Sequence, residues 1–134
     1  MIEPNLIKGV SQIHRNYTTF FIDLWGVIHN GIQLNLEAVQ VLENLDKVKK
    51  RIVLMSNAPR PSSSVANFLV NLKLNSKFLK NIFTSGDAAI HSINNNTHGK
   101  TFFHLGPQRD KDLFKKSKEK KRNNLENAGS IFKM

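Results

Sequence analysis

The sequence contains no cysteine, and none of its apolar runs approaches the length of a membrane span. Without cysteine the chain has no disulfide framework, no thiolate metal site and no cysteine nucleophile. A spanning helix needs about 18 or more apolar residues. The first ten residues include Glu3, Pro4 and Lys8, so they do not form the apolar stretch of a signal peptide. The expectation is a cytoplasmic globular protein, and 134 residues give room for one domain with a buried core.

The net charge of +10 is unevenly distributed along the chain. Residues 115–134 hold seven basic and two acidic side chains, so half of the excess lies in the last twenty residues. Such a segment predicts a disordered, solvated tail. It also suggests an alternative function, a module that binds nucleic acid or an acidic partner through residues 115–122. No aromatic side chains interleave with the basic ones in residues 115–122, and no nucleic-acid motif is present, so nucleic acid is not the expected partner.

Helical and strand patterns alternate along the rest of the chain. Helical spacing of apolar residues is found in 4–16, 36–50, 61–72 and 88–93, and short strand-like runs in 20–22, 52–55, 81–84 and 101–105. Asn35 is the predicted N-cap of the second helix. Strands separated by helices imply crossover connections and a parallel sheet. The predicted fold class is therefore α/β.

Polar residues follow three of these strands, where the working groups of a parallel sheet lie. Asp23 follows the first strand, Ser56 and Asn57 with Arg60 follow the second, and Thr-Ser-Gly-Asp at 84–87 follows the third. A buried acid requires a partner or a metal. A hydroxyl, an amide and a guanidinium all suit phosphate oxygens. Each element alone also fits an ordinary turn or helix cap, and only their order within one α/β alternation is specific.

As a set, these motifs resemble the haloacid dehalogenase (HAD) superfamily. Residues 20–31, Phe-Phe-Ile-Asp-Leu-Trp-Gly-Val-Ile-His-Asn-Gly, resemble its motif I, and residues 53–60, Val-Leu-Met-Ser-Asn-Ala-Pro-Arg, resemble motif II. The spacing is similar to that of the class IIA branch, which includes p-nitrophenylphosphatase-type enzymes. Thr-Ser-Gly-Asp-Ala-Ala at 84–89 and His-Leu-Gly-Pro-x-Arg-Asp at 104–110 resemble one bacterial subfamily of that branch. The resemblance covers residues 5–114 and implies a partial Rossmannoid parallel sheet with flanking helices.

The resemblance implies hydrolysis of a phosphorylated small molecule through a covalent intermediate. Asp23 corresponds to the nucleophile that becomes an aspartyl-phosphate, which water then hydrolyses. Ser56 is expected to hydrogen-bond the phosphate, and Asn57 and Arg60 to assist in binding it. A Mg²⁺ ion is expected between Asp23 and the phosphate, with the main-chain carbonyl of Trp25 as a further ligand.

Two departures from the family pattern limit this expectation. Trp25 stands where the phosphatases carry a second aspartate, and the loss of acid–base assistance typically costs about 10²–10⁴-fold in rate. An aromatic residue at this position also occurs in the dehalogenases, so attack on carbon is an alternative. The later lysine and acidic pair of the family have no counterpart in this sequence, and neither does a full cap domain.

The predicted organisation is therefore that of an N-terminal portion, truncated before the cap and the later motifs. Residues 1–100 are expected to form half of the HAD-like core, 101–114 the start of an incomplete cap, and 115–134 the basic tail. The expected protein is a truncated or split hydrolase, inactive alone. A second chain that carries the later motifs is then a candidate partner.

Overall fold

The computed structural model describes residues 6–107, 113–115, 117 and 120–133. The strands are β1 (Thr19–Asp23), β2 (Arg51–Ser56), β3 (Ile82–Thr84), β4 (Phe102–Leu105), β5 (Lys121–Arg122) and β6 (Ser130–Lys133). The α-helices are α1 (Leu36–Lys47), α2 (Ser62–Asn71) and α3 (Ser85–Asn94), and 3-10 helices lie at Val10–Gln12, His14–Asn16, Ser76–Lys80 and Leu125–Asn127. The predicted α/β class, with parallel sheets and flanking helices, is confirmed. Among the described residues no helix is both long and apolar enough to cross a bilayer.

The chain divides into two compact units, residues 1–55 with 70–81 and residues 56–69 with 82–134. In the first unit β1 and β2 pair in parallel, from Thr19 opposite Arg51 to Asp23 opposite Met55. Beyond the last pair, the Leu24 amide donates to the Met55 carbonyl at 3.1 Å. The register therefore directs the carboxyl ends of both strands to the same edge of this sheet.

Helix α1 begins where the sequence predicts. The Asn35 side chain accepts hydrogen bonds from the amides of Glu37 and Ala38, which confirms it as the N-cap. Leu42 and Leu45 are buried along the inner face of the helix. The helix ends at Lys47, earlier than residue 50, because Lys49 adopts a left-handed backbone with φ of 58°.

The helix predicted over 4–16 is wrong for the described part of that segment. Two 3-10 helices, Val10–Gln12 and His14–Asn16, stand in its place. Gly9, with φ of 168°, is extended immediately before the first of them. Leu6, one of the apolar residues whose spacing predicts the helix over 4–16, is 99% exposed, so burial does not stabilise a longer helix here.

In the second unit β4 lies between β5 and β6 and pairs in parallel with both. Phe102 of β4 is buried with Ile93 and Phe114. The rings of Phe102 and Phe132 meet edge to face at 5.8 Å. An aromatic cluster therefore forms the core of this unit.

The prediction that residues 115–134 are disordered is wrong for the described part of that segment. Residues 121–122 and 130–133 are strands β5 and β6. The Lys120 ammonium donates to the carbonyls of Ile93 and Asn94 at the end of α3. A basic run therefore supplies the helix terminus with a cation, a role that charge alone does not reveal. Arg109 and Asp110 of the 104–110 motif lie outside the described residues.

Candidate active site

The turn after β1 presents Asp23 to solvent. Asp23 is the last residue of β1 and is exposed, whereas the next residue, Leu24, is completely buried. The Leu24 carbonyl accepts from the amides of Ile28 and His29 at 2.9 and 3.1 Å. Gly26 has φ of 78°, a conformation that favours glycine and closes this tight turn. A buried neighbour on a hydrogen-bonded turn thus fixes the backbone from which the Asp23 carboxylate projects.

Trp25 is two-thirds exposed, at 65%, within this turn. Its indole carries only an N–H donor of very weak acidity, so it offers no ionisable proton for a leaving group. Trp25 therefore does not supply the acid–base group that the second aspartate supplies in the phosphatases.

His29 lies on the same turn and is buried, with 7% exposure. Its Nδ1 accepts from the Gly31 amide at 3.0 Å. Burial lowers the pKa of His29 below its ordinary value, and the negative charge of Asp23 partly offsets this effect. The influence of Asp23 on this ring was not predicted from the sequence. The sequence did contain a signal of this influence, because Asp23 and His29 are only six residues apart and Gly26 lies between them.

A cavity of about 380 Å³ adjoins the turn. Its lining is mostly polar and backbone in character, and it consists of Gly26, Val27, His29, Asn30, Gln33, Leu34, Asn35 and Leu36. Residues of motif I, of the segment that follows it and of the start of α1 thus line space for a small molecule. None of the four predicted site residues Asp23, Ser56, Asn57 and Arg60 lines it.

The loop after β2 carries the other predicted site residues. Ser56 is the last residue of β2 and directly follows Met55, the strand partner of Asp23. Its Oγ accepts from the Ala58 amide at 3.1 Å. Asn57 and Arg60 are exposed. The paired part of β2 ends at Met55, so Ser56 is the residue that directly follows it in the chain.

The third motif forms the start of α3. Thr84 is its N-cap, because the Thr84 hydroxyl accepts from the Asp87 amide at 3.0 Å. Asp87 was predicted only as an acid at a helix start, yet its Oδ2 also accepts from the Ser62 amide at 3.0 Å. The sequence did not predict this link between the start of α2 and the third motif, since the two residues are 25 positions apart.

The predicted Mg²⁺ ligands are few. Within this part of the chain no group of three or more histidine, aspartate or glutamate side chains is placed to hold a metal. The predicted ligands are the Asp23 carboxylate and the Trp25 carbonyl. Mg²⁺ requires near-octahedral oxygen coordination, so these two groups leave most positions to other ligands.

Residues 20–119 match the family of haloacid dehalogenase-like hydrolases. Because the match covers most of the chain, the protein belongs to this family. A search of curated proteins gives no significant match.

Solved structures share the fold at low identity. A haloacid dehalogenase-like hydrolase from Brucella suis 1330 is 23% identical, with a TM-score of 0.78 over 96% of this chain and 48% of its own. A 4-nitrophenylphosphatase from Thermotoga maritima is 20% identical, with a TM-score of 0.67 over 90% of this chain and 45% of its own. A glycerol phosphate phosphatase from Mycobacterium tuberculosis, solved with magnesium, is 22% identical, with a TM-score of 0.64 over 90% and 37%.

These likenesses define the fold, and the family match over residues 20–119 confirms the predicted membership of the haloacid dehalogenase superfamily. The assignment to its class IIA branch stays a prediction. The chain spans about half the length of the similar structures. What those proteins bind or hydrolyse does not transfer with the fold.

Proposed function

We propose that this chain carries the nucleophile and phosphate-binding residues of a HAD-type phosphomonoester hydrolase. The observation that carries the proposal is the β1–β2 register, which pairs an exposed Asp23 with Met55, the residue before Ser56. The family membership and its phosphatases of similar fold support it. The substrate class is a phosphorylated small molecule, and the proposed location is the cytoplasm.

In the proposed reaction a carboxylate oxygen of Asp23 attacks phosphorus. The bond between phosphorus and the ester oxygen breaks, and that oxygen leaves with a proton from solvent. Water then attacks the aspartyl-phosphate, releasing phosphate and restoring the carboxylate. An exposed carboxylate on a fixed backbone suits this role, because attack depends on orientation more than on reach.

The binding roles are assigned to the loop after β2. The Ser56 hydroxyl proton is not used in its contact with Ala58, where Ser56 is the acceptor. That proton suits a phosphate oxygen. The exposed Asn57 amide and Arg60 guanidinium add neutral and charged donors. Mg²⁺ is proposed to bind feebly through Asp23 and the Trp25 carbonyl, because the remaining coordination must come from water or other groups.

We propose that the isolated chain turns over phosphomonoesters at most very slowly. Trp25 cannot protonate a leaving group, and positioned acid–base assistance is usually worth about 10²–10⁴-fold. The scarce metal ligands remove a further electrostatic contribution. A second chain that carries the later lysine and acidic motifs is the proposed source of the missing groups.

The test is an assay with p-nitrophenyl phosphate and Mg²⁺ on the pure chain beside Asp23→Asn. The expected result is no turnover in either protein, and Asp23-dependent turnover once a chain with the later motifs is added. Turnover by the chain alone that disappears in Asp23→Asn would contradict the inactivity and retain the nucleophile. Turnover that persists in Asp23→Asn would remove Asp23 from the mechanism.

The alternative, a polyanion-binding module built on residues 115–122, is less well supported. The Lys120 ammonium is already engaged by two carbonyl oxygens and by the Asn96 side chain. Arg122 donates to the carbonyl of Lys121. These bonds occupy N–H donors that an external polyanion would otherwise engage.

A further inference from the structure

The loop that joins β2 to α2, the 56–61 loop, receives hydrogen bonds from residues 84–87, the 84–87 turn. The hydroxyl of buried Thr84 makes one of these contacts and also one bond within the turn. Its Oγ1 donates to the Arg60 carbonyl at 2.7 Å and accepts from the Asp87 amide at 3.0 Å. Serine can reproduce both bonds, and valine can reproduce neither.

Gly86 brings the two segments into direct backbone contact. Its amide donates to the Ala58 carbonyl at 3.2 Å. A Cβ at this position would lie 2.6 Å from the backbone nitrogen and carbonyl carbon of Arg60. Any side chain here would therefore push the 56–61 loop away, so close approach is the physical reason for this glycine.

Asp87 holds the far end of the same loop. Its Oδ2 accepts from the amide of Ser62, the first residue of α2, at 3.0 Å. Pro61, which precedes Ser62, has no amide proton. A carboxylate from α3 therefore serves one of the N-terminal amides of α2. The loop cannot shift at Ala58, at Arg60 or at its junction with α2 without breaking bonds to the 84–87 turn.

We propose that Thr84, Gly86 and Asp87 are positioning residues that set the path of the 56–61 loop for phosphate binding. None of them is assigned contact with the substrate. They act through the backbone that carries Ser56, Asn57 and Arg60. The inference rests on the proposed function, and it assigns the third motif a role beyond starting a helix.

The experiment titrates inorganic phosphate into the ¹⁵N-labelled full chain and follows the Asn57 and Ala58 amides by NMR. We expect Thr84→Val to weaken phosphate binding by about tenfold and Thr84→Ser to remain within about twofold of the parent. The matched control is Ile93→Val, which destabilises the same unit from the other end of α3 and should leave the dissociation constant unchanged. Thermal melts show that each variant is folded.

A second pair of variants, at Asp87, tests the same inference if Thr84→Val does not fold. Asp87→Ala removes the acceptor for Ser62 and should weaken phosphate binding, whereas Asp87→Asn retains an acceptor and should restore it. An unchanged dissociation constant in the folded Thr84→Val or Asp87→Ala variant overturns the inference. Equal weakening by Ile93→Val also overturns it, because the effect would then be loss of stability alone.

The failure of the proposed function gives a different pattern. In that case the parent chain does not bind phosphate, or Ser56→Ala binds it as well as the parent does. The positioning role is then rejected together with the proposed function, because it depends on that function. Phosphate binding that depends on Ser56 and ignores Thr84 and Asp87 overturns the inference alone.

Discussion

The turn after β1 and the loop after β2 follow paired strands, yet they are held by different kinds of contact. In the turn, the Leu24 carbonyl accepts from Ile28 and His29, and the Ile28 carbonyl accepts from the Asn35 amide. The loop instead depends on Thr84 and Asp87, which lie 24 and 25 positions from their partners. One strand end is built from a contiguous stretch of sequence, and the other is built from two separate motifs.

This difference indicates how each region responds to change. A locally bonded turn needs little loop closure to form, whereas contacts between distant segments require the intervening chain to be ordered first. Substitutions that remove distant contacts should therefore destabilise the fold more, and over a wider region, than substitutions within the local turn.

The largest expected effect comes from removing residues 115–134. Strand β6 pairs with β4 at four positions, and Phe132 packs against Phe102. Burial of one large apolar side chain contributes about 1.5–3 kcal/mol, and hydrogen bonds from a charged group about 1.5–3 kcal/mol each. The deletion should lower the free energy of unfolding of the second unit by at least about 3 kcal/mol, measured by urea denaturation with circular dichroism.

Lys120→Met isolates one part of that deletion, the cation at the end of α3. It should lower the free energy of unfolding by about 1–2 kcal/mol, and Lys133→Met at an exposed end of β6 is the matched control. An unchanged unfolding transition after the deletion would mean that the tail does not pack on the second unit.

The same contrast explains how much of the fold was readable from the sequence. Strands β1, β2 and β4, the three α-helices and the Asn35 cap follow local periodicity and capping chemistry, and all were predicted. The tail was predicted as disordered because its charge is visible locally, whereas its pairing with β4 is not. The prediction of an N-terminal helix was wrong because Leu6, which fits the helical spacing of apolar residues, is not buried.

The candidate site divides in the same way. The placement of Asp23 and Ser56 at their strand ends followed from the α/β alternation and the motifs. The bond from Ser62 to Asp87 and the close approach of Gly86 to Arg60 join segments whose separation in the sequence hides them. The catalytic and binding roles of the site residues stay predictions.

Asn35→Ala should lower the free energy of unfolding by a smaller amount, and it tests the contribution of a local contact. The Asn35 side chain accepts from two amides in the first turn of α1, and loss of such an N-cap typically costs about 1 kcal/mol. Urea denaturation should show this decrease. Asn35→Asp retains the acceptor and should recover most of it. A decrease as large as that of the tail deletion would contradict the ranking of distant over local contacts.

The smallest expected effect is a pH dependence from His29, also on the local turn. Burial lowers the folded-state pKa of His29 below the ordinary value of 6.5, so below that pH the unfolded chain binds more protons than the folded one. The stability from the neutral ring is therefore fully present above pH 6.5 and is lost as the pH falls toward the folded pKa. Protonation also replaces the Nδ1 acceptor of the Gly31 amide with a donor. The stability difference between the parent and His29→Gln, measured by urea denaturation at several pH values, should fall on acidification. A difference that is constant with pH, or that grows as the pH falls, would show that His29 does not titrate in the buried setting the structure gives it.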